Sequence, residues 1–314
     1  MDEGQTHCGF VAIIGAPNAG KSTLVNRLVG AKVSIVTHKV QTTRAPLRGL
    51  AIRGPVQLVL VDTPGVFQPR RRLDRAMVRA AWSHADEADS IVHLVDAAAQ
   101  AQAANGTADA ADRASAEDVE RILERLKASG QRAILALNKV DSMPREALLG
   151  VTQALFEAGV YDRAFMISAK RGDGVEDLAD HLTKLARPGP WHYPADQIAD
   201  APVRVMAAEI TREKLMLRLH EELPYETTVE TESYVERKDG SVRIEQTVFV
   251  TRESQRKIAI GEGGQTLKAI GRAARLELQE ILDRPVHLFV HVKVREGWAE
   301  ERARFNALGL DYGS

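Results

Sequence analysis

Phe10-Val11-Ala12-Ile13-Ile14-Gly15-Ala16-Pro17-Asn18-Ala19-Gly20-Lys21-Ser22 is the stretch on which the fold turns. The apolar run 10–14 reads as a buried strand, and residues 23–29 have helical apolar spacing. Between them stands G-x-x-x-x-G-K-S, the spacing of a phosphate-binding P-loop. Its glycines let successive backbone N–H groups turn inward on an anion. The following helix start adds its positive dipole end. Lys21 supplies a charge for the β- and γ-phosphates, and the Ser22 hydroxyl suits Mg²⁺. A bare glycine-rich turn with an exposed lysine is the competing reading.

Working outward, the next signal follows a hairpin. Residues 47–53 and 56–61 read as two strands around Gly54-Pro55. The second ends in Asp62-Thr63-Pro64-Gly65-Val66. In a doubly wound sheet that strand end lies near the P-loop, so Asp62 can hold Mg²⁺ directly or through water. The Gly65 N–H can meet a γ-phosphate. Before the hairpin, Gln41-Thr42-Thr43-Arg44 sits in a long stretch without clear elements, and such loops are often functional.

A strand over 132–137 leads into Asn138-Lys139-Val140-Asp141. A carboxylate here can accept from both guanine N1–H and N2–H₂, and adenine offers neither donor in those places. Asn138 can bond the guanine edge, and the Lys139 stem can cover the base. A later strand ends in Ser168-Ala169-Lys170, whose backbone can reach guanine O6. Four signals at successive strand ends of alternating strands and helices describe one open α/β sheet with a guanine nucleotide at its carboxyl edge.

Other stretches read as scaffold. Arg70-Arg71-Arg72 reads as solvated surface. Residues 97–116 are rich in Ala, Asp, Gln and Asn and read as a surface loop insertion with some frayed helix, ahead of an amphipathic helix over 117–129. The Pro-rich residues 188–202 read as a linker between a domain over 1–187 and a second over 203–314. The second reads α-β-β-α-α-β, a small α+β unit. Gly261-Glu262-Gly263-Gly264 forms a G-x-x-G loop between two helices, which lets nucleic-acid backbone come close. Around it Arg252, Arg256, Lys257, Lys268, Arg272 and Arg275 face only Glu253 and Glu262, a local basic excess suited to phosphates.

Composition sets bounds. The chain has 314 residues, enough for two domains, with a net charge of −1. Bulk charge therefore announces no nucleic-acid partner. No apolar run approaches a membrane span, and no signal peptide is expected. The single cysteine, Cys8, excludes an internal disulfide and suits a reducing compartment. His7 beside it makes a poor metal pair.

These motifs together resemble the Era family of bacterial GTPases, over nearly the whole chain. Besides those quoted, Glu222-Leu223-Pro224-Tyr225, Ile260 with the G-x-x-G loop, and Pro285-Val286-His287-Leu288 carry the resemblance. A C-terminal type II KH domain separates this family from relatives with two GTPase domains. The resemblance implies a P-loop GTPase domain joined to a KH-type RNA-binding domain. It implies a GTP-switched factor that contacts the 3′ end of 16S rRNA and assists 30S subunit assembly. A cytoplasmic monomer, with some association with the inner membrane face, is the expected setting. The alternative is a GTP-dependent regulator whose second domain binds a protein or membrane. By the same resemblance Thr43 contacts Mg²⁺ and the γ-phosphate, with Thr42 as second choice, and Asn18 is where some related GTPases ligate K⁺. Two features depart from the family pattern: the long insertion at 97–116, and Glu262-Gly263 where a basic residue is expected. Val66 stands where Ras-like enzymes place a water-orienting glutamine, which implies slow intrinsic turnover.

Overall fold

The computed structural model describes residues 5–220 and 223–313, so Glu222 lies outside the described residues. The chain divides into two compact units. One holds residues 1–34, 43–200 and 308–314; the other holds 35–42 and 201–307.

In the first unit, β1 (His7–Ile14), α1 (Lys21–Val29), β2 (Leu47–Arg53), β3 (Val56–Asp62), α2 (Arg72–Glu87) and β4 (Ser90–Asp96) come first. They are followed by α3 (Ala97–Ala104), α4 (Ala110–Ser129), β5 (Ala133–Asn138), α5 (Arg145–Phe156), β6 (Tyr161–Met166), α6 (Val175–Leu185) and β7 (Arg187–Pro188). The sheet runs β2-β3-β1-β4-β5-β6, parallel except for β2, with β7 added antiparallel to the start of β1. β3 is buried along its whole length, as a strand covered on both faces must be. Alternate residues feed two cores. Val11, Ile13, Leu58 and Leu60 pack with α1 and α6 on one face. Ala12, Ile14, Val95 and Leu135 pack with α2, α4 and α5 on the other.

Two sequence readings change here. Residues 97–116, read as a surface loop with some frayed helix, are mostly well-formed helix. They form α3, a short turn and the first part of α4. Alanine-rich sequence is strongly helix-forming once its ends are capped. Asp96 caps α3 by accepting from the N–H groups of Ala98 and Ala99, and Asp109 caps α4 in a capping box with Asp112. The stretch 188–202, read as a linker, is stitched through most of its length onto the first unit. The Gln57 side chain, fully buried, accepts from the His192 and Tyr193 N–H groups at 2.9 and 3.1 Å and donates to the Tyr193 carbonyl at 2.8 Å. Ala199 bridges Gly49, and Asp200 pairs with Arg48 at 3.2 Å.

The second unit contains α7 (Val203–Arg218), β8 (Thr228–Glu236), β9 (Val242–Val250), α8 (Glu253–Ile260), α9 (Gln265–Leu282), β10 (Val286–Val294) and the short α10 (Arg302–Ala307). Its sheet runs β10-β9-β8, with β8 antiparallel and β10 parallel to β9. Ala207, Ile210 and Leu215 of α7 and Ile270, Ala274 and Leu278 of α9 bury against it.

Candidate nucleotide site and G-x-x-G loop

The candidate residues of the first unit gather at the carboxyl ends of β1, β3, β5 and β6, the edge where open α/β sheets bind ligands. The P-loop fits only because its glycines lack side chains. A Cβ on Gly15 would lie 2.3 Å from the Leu94 carbonyl oxygen, and one on Gly20 would lie 2.3 Å from Asn138 Nδ2. Gly20 also has φ 102°, a conformation that other residues rarely adopt. Asn18 takes φ 61° at the exposed tip, where asparagine is the side chain best tolerated after glycine.

Lys21 is buried, and its Nζ donates to the Gly15 and Ala16 carbonyls at 3.0 and 2.8 Å. Burial pushes its pKa down to about 8, against the pull of Asp62 and Asp118. It therefore stays mostly charged at neutral pH, partly desolvated and aimed along the loop that would hold phosphates.

Three oxygens converge beside it. The Ser22 hydroxyl donates to Asp62 Oδ2 at 2.7 Å, Thr43 Oγ1 donates to the same oxygen at 3.3 Å, and the two hydroxyls lie 3.0 Å apart. Asp62 is fully buried, and burial raises its pKa although the Ser22 hydroxyl and Lys21 oppose the rise. Its other oxygen, Oδ1, is buried without a hydrogen-bond partner among the described residues. An orphaned carboxylate oxygen beside two hydroxyls fits a hard, oxygen-seeking cation. The Thr42 hydroxyl donates to the Lys39 carbonyl at 2.8 Å and lies 2.6 Å from the Thr37 hydroxyl. Gln41 before it takes φ 55°, and Arg44 after it is buried. His7 and Cys8 lie buried on β1, and no cluster of three or more His, Cys, Asp or Glu suited to a metal occurs among the described residues.

Thr63 is buried, its hydroxyl donating to the Ile13 carbonyl at 2.7 Å. After Pro64, Gly65 packs on Pro17, where a Cβ would come within 3.0 Å of its backbone nitrogen. The Val66 N–H donates to the Gly15 carbonyl at 3.0 Å, and its side chain is buried in the core.

At the ends of β5 and β6, Asn138 is a tie-bar. Its Nδ2 donates to the Ala19 carbonyl at 2.7 Å, and its Oδ1 accepts from the Ala169 N–H at 2.9 Å. One side chain thus locks the P-loop to the Ser168-Ala169-Lys170 loop. Lys139 takes φ 64° and pairs with Asp96 Oδ2 at 2.5 Å. The Ser168 hydroxyl, helped by the charges of Arg171 and Lys170, holds the Asp141 carboxyl below the usual range, so it is ionised at neutral pH. Sequence reasoning passed over three supports. Arg171 lies 3.3 Å from Asp141, Arg27 of α1 donates to the Ala169 and Lys170 carbonyls, and Asp96 fixes Lys139. Arg27 carries no motif signal. Asp96, another acidic strand end, could have been noticed.

In the second unit, the G-x-x-G loop joins α8 to α9. Gly261, Gly263 and Gly264 all have positive φ, at 74°, 56° and 76°. A Cβ on Gly261 would lie 2.2 Å from Thr266 Oγ1, whereas one on Gly263 would meet open space. Glu262, Lys257, Lys268 and Arg272 are exposed. Other basic residues are partly engaged: Arg252 with Glu226 at 3.5 Å, Arg256 with Glu253 at 2.9 Å, and Arg275 with Gln279 at 3.2 Å.

Comparison with known proteins agrees with both units. The family described as 50S ribosome-binding GTPase matches residues 10–139, and the KH domain family matches residues 222–299. GTPase Era of Caulobacter vibrioides is 63% identical over 308 residues, spanning 98% of each chain. That of Maricaulis maris is 56% identical over 312 residues, spanning 99% of each. Two crystal structures align with TM-score 0.86 at 33% identity, covering 97% of this chain and 99% of theirs. One is Aquifex aeolicus Era bound to GDP and aluminium fluoride, and the other is Era with MgGDPNP and nucleotides 1506–1542 of 16S ribosomal RNA. A GTPase domain model over residues 10–139, a KH model over 222–299 and relatives up to 63% identical along nearly the whole length show that the chain belongs to the Era family of GTPases, hydrolases of GTP.

Proposed function

We propose that the chain is a GTP-operated switch that binds the 3′ end of 16S rRNA through its second unit and assists assembly of the small ribosomal subunit in the cytoplasm. The observation that carries the reading is the G-x-x-G loop. It has three positive-φ glycines and open space at Gly263, with exposed Lys257, Lys268 and Arg272 close by in sequence. The Era complex with 16S nucleotides supports the choice of RNA.

Hydrolysis is in-line attack of water on the γ-phosphate, and catalysis is mainly positioning and charge stabilisation. The P-loop N–H groups and Lys21 receive the phosphates. Ser22, Thr43 and Asp62 would hold Mg²⁺, which when bound neutralises charge on the β- and γ-oxygens. Val66 offers no side-chain hydrogen bond to the water, so intrinsic turnover is slow. Loss of the γ-phosphate contacts releases the segments around 36–45 and 62–82.

Crosslinking of the full chain to RNA in its GTP-loaded state, followed by sequencing, tests this reading. Reads should concentrate at the 16S 3′ end. An absence of enriched rRNA reads would move a protein or membrane partner ahead.

Asn18 at the P-loop tip is suited to ligate K⁺ beside the phosphates, where the ion would act as a fixed positive charge on the transition state. Hydrolysis should be faster in KCl than in NaCl at equal ionic strength, by roughly tenfold or more. Asn18→Ala should erase the difference. Equal rates of the unaltered protein in both salts would remove the ion from the account.

A further inference from the structure

Residues 63–71, between β3 and α2, form no regular element, yet buried groups pin their backbone. Val66 is held by the Gly15 carbonyl at 3.0 Å. Farther on, Asp74 Oδ2 accepts from the Arg70 and Arg71 N–H groups at 3.1 and 3.0 Å. Between these points the Gln68 N–H lies near enough to the Asp118 carboxylate of α4 to favour its charged form. Arg121 completes the clamp: its Nη1 lies 2.6 Å from Asp118 Oδ1, and its Nη2 reaches Gln68 Oε1 at 3.5 Å and Glu117 at 3.3 Å.

Asp118 is only 7% exposed. An i,i+3 pair with Arg121 would support α4 equally well on its outer surface, without the cost of desolvating a carboxylate. The burial makes sense if the carboxylate serves the loop it faces. Gln68 is two residues beyond Val66 and three beyond Gly65, so fixing its N–H limits where both can go.

We propose that Asp118 is a positioning residue for GTP hydrolysis, holding Gln68 so that the backbone at Gly65 meets the γ-phosphate in one arrangement. It acts through the loop and touches no substrate. Burial lifts its pKa to about 6, so it changes charge just below neutrality. The groups that face it are Arg121 and Glu117 of α4, the Gln68 amide, and the field of Lys21. As pH falls through about 6, Asp118 gains a proton and loses its charge toward Gln68 and Arg121.

The test is single-turnover and steady-state hydrolysis from about pH 5 to 8 with Asp118→Ala and Asp118→Asn. Asp118→Ala should lower kcat about tenfold, with KM for GTP and affinity for GDP within about twofold of wild type. Asp118→Asn keeps an acceptor for the Gln68 N–H and should recover most of that loss at about pH 7.5. The γ-phosphate titrates in the same range in every variant, so the decisive readout is the difference between profiles. Wild type should lose extra turnover below about pH 6, and Asp118→Asn should not. The proposal fails if Asp118→Ala keeps wild-type kcat, or if kcat and GDP affinity fall together. Should Asp118→Ala not fold, a profile of Asp118→Asn that superimposes on wild type refutes it equally.

Discussion

Asp141→Asn is expected to weaken GTP binding roughly 10²- to 10³-fold and to make xanthosine triphosphate the better ligand. The Asp141 carboxyl is held ionised by the Ser168 hydroxyl and the nearby charges of Arg171 and Lys170. An ionised carboxylate only accepts, and guanine offers N1–H and N2–H₂ side by side. The pair is charge-assisted on both bonds, which are about twice as strong as neutral ones. In asparagine one oxygen becomes an NH₂ group, which opposes guanine N2–H₂ donor to donor. Xanthine carries a C2 oxygen there, which accepts from that NH₂ while N1–H still meets the amide oxygen. Competition of GTP and xanthosine triphosphate against a fluorescent guanine nucleotide measures the switch. A folded variant with unchanged preference for GTP would take Asp141 out of the pocket.

The candidate nucleotide site was legible in the sequence as a set of strand ends, because its motifs are written in local spacing. Gly15 to Ser22, Asp62 to Gly65 and Asn138 to Asp141 each sit where a strand stops, and a doubly wound sheet brings strand ends together. Supports contributed from far along the chain were not legible. Arg27 reaches Ala169 across 142 positions, and Gln57 anchors Tyr193 across 136. Neither interaction leaves a local pattern. The same limit hid the pinning of the residues after Gly189, where proline content outweighed one buried glutamine.

Residues 97–116 failed for a different reason. Ala97–Ala104 has almost no polar–apolar contrast, so periodicity is silent even though propensity is high. The usable signals were Asp96 and Asp109, each placed as an N-cap. Thr43 stood ahead of Thr42 by the resemblance alone. Thr43 meets Ser22 and Asp62, and Thr42 closes a turn with Thr37 and Lys39.

The second large effect is expected at the G-x-x-G loop. Glu262 already stands exposed in the loop, so it opposes any phosphate brought near. Replacing Glu262 and Gly263 by two aspartates adds one further negative charge and puts a side chain where Gly263 leaves open space. At about 1 kcal/mol per charge in a water-like setting, charge alone weakens RNA binding roughly fivefold, and the filled approach path weakens it further. Glu262→Lys reverses the sign. It should tighten binding and steepen the dependence of log K on log salt by about 0.7, one extra phosphate contact on a single strand. Nucleotide binding by the first unit should be unchanged in both variants.

Filter binding of single-stranded 16S 3′-end RNA to the GTP-loaded full chain and these two variants, across a salt series, tests the RNA-switch account most directly. The account predicts weaker binding for the double aspartate, tighter and more salt-sensitive binding for Glu262→Lys, and equal GTP affinity throughout. RNA affinity that is the same in all three proteins would contradict it and leave the loop a structural turn.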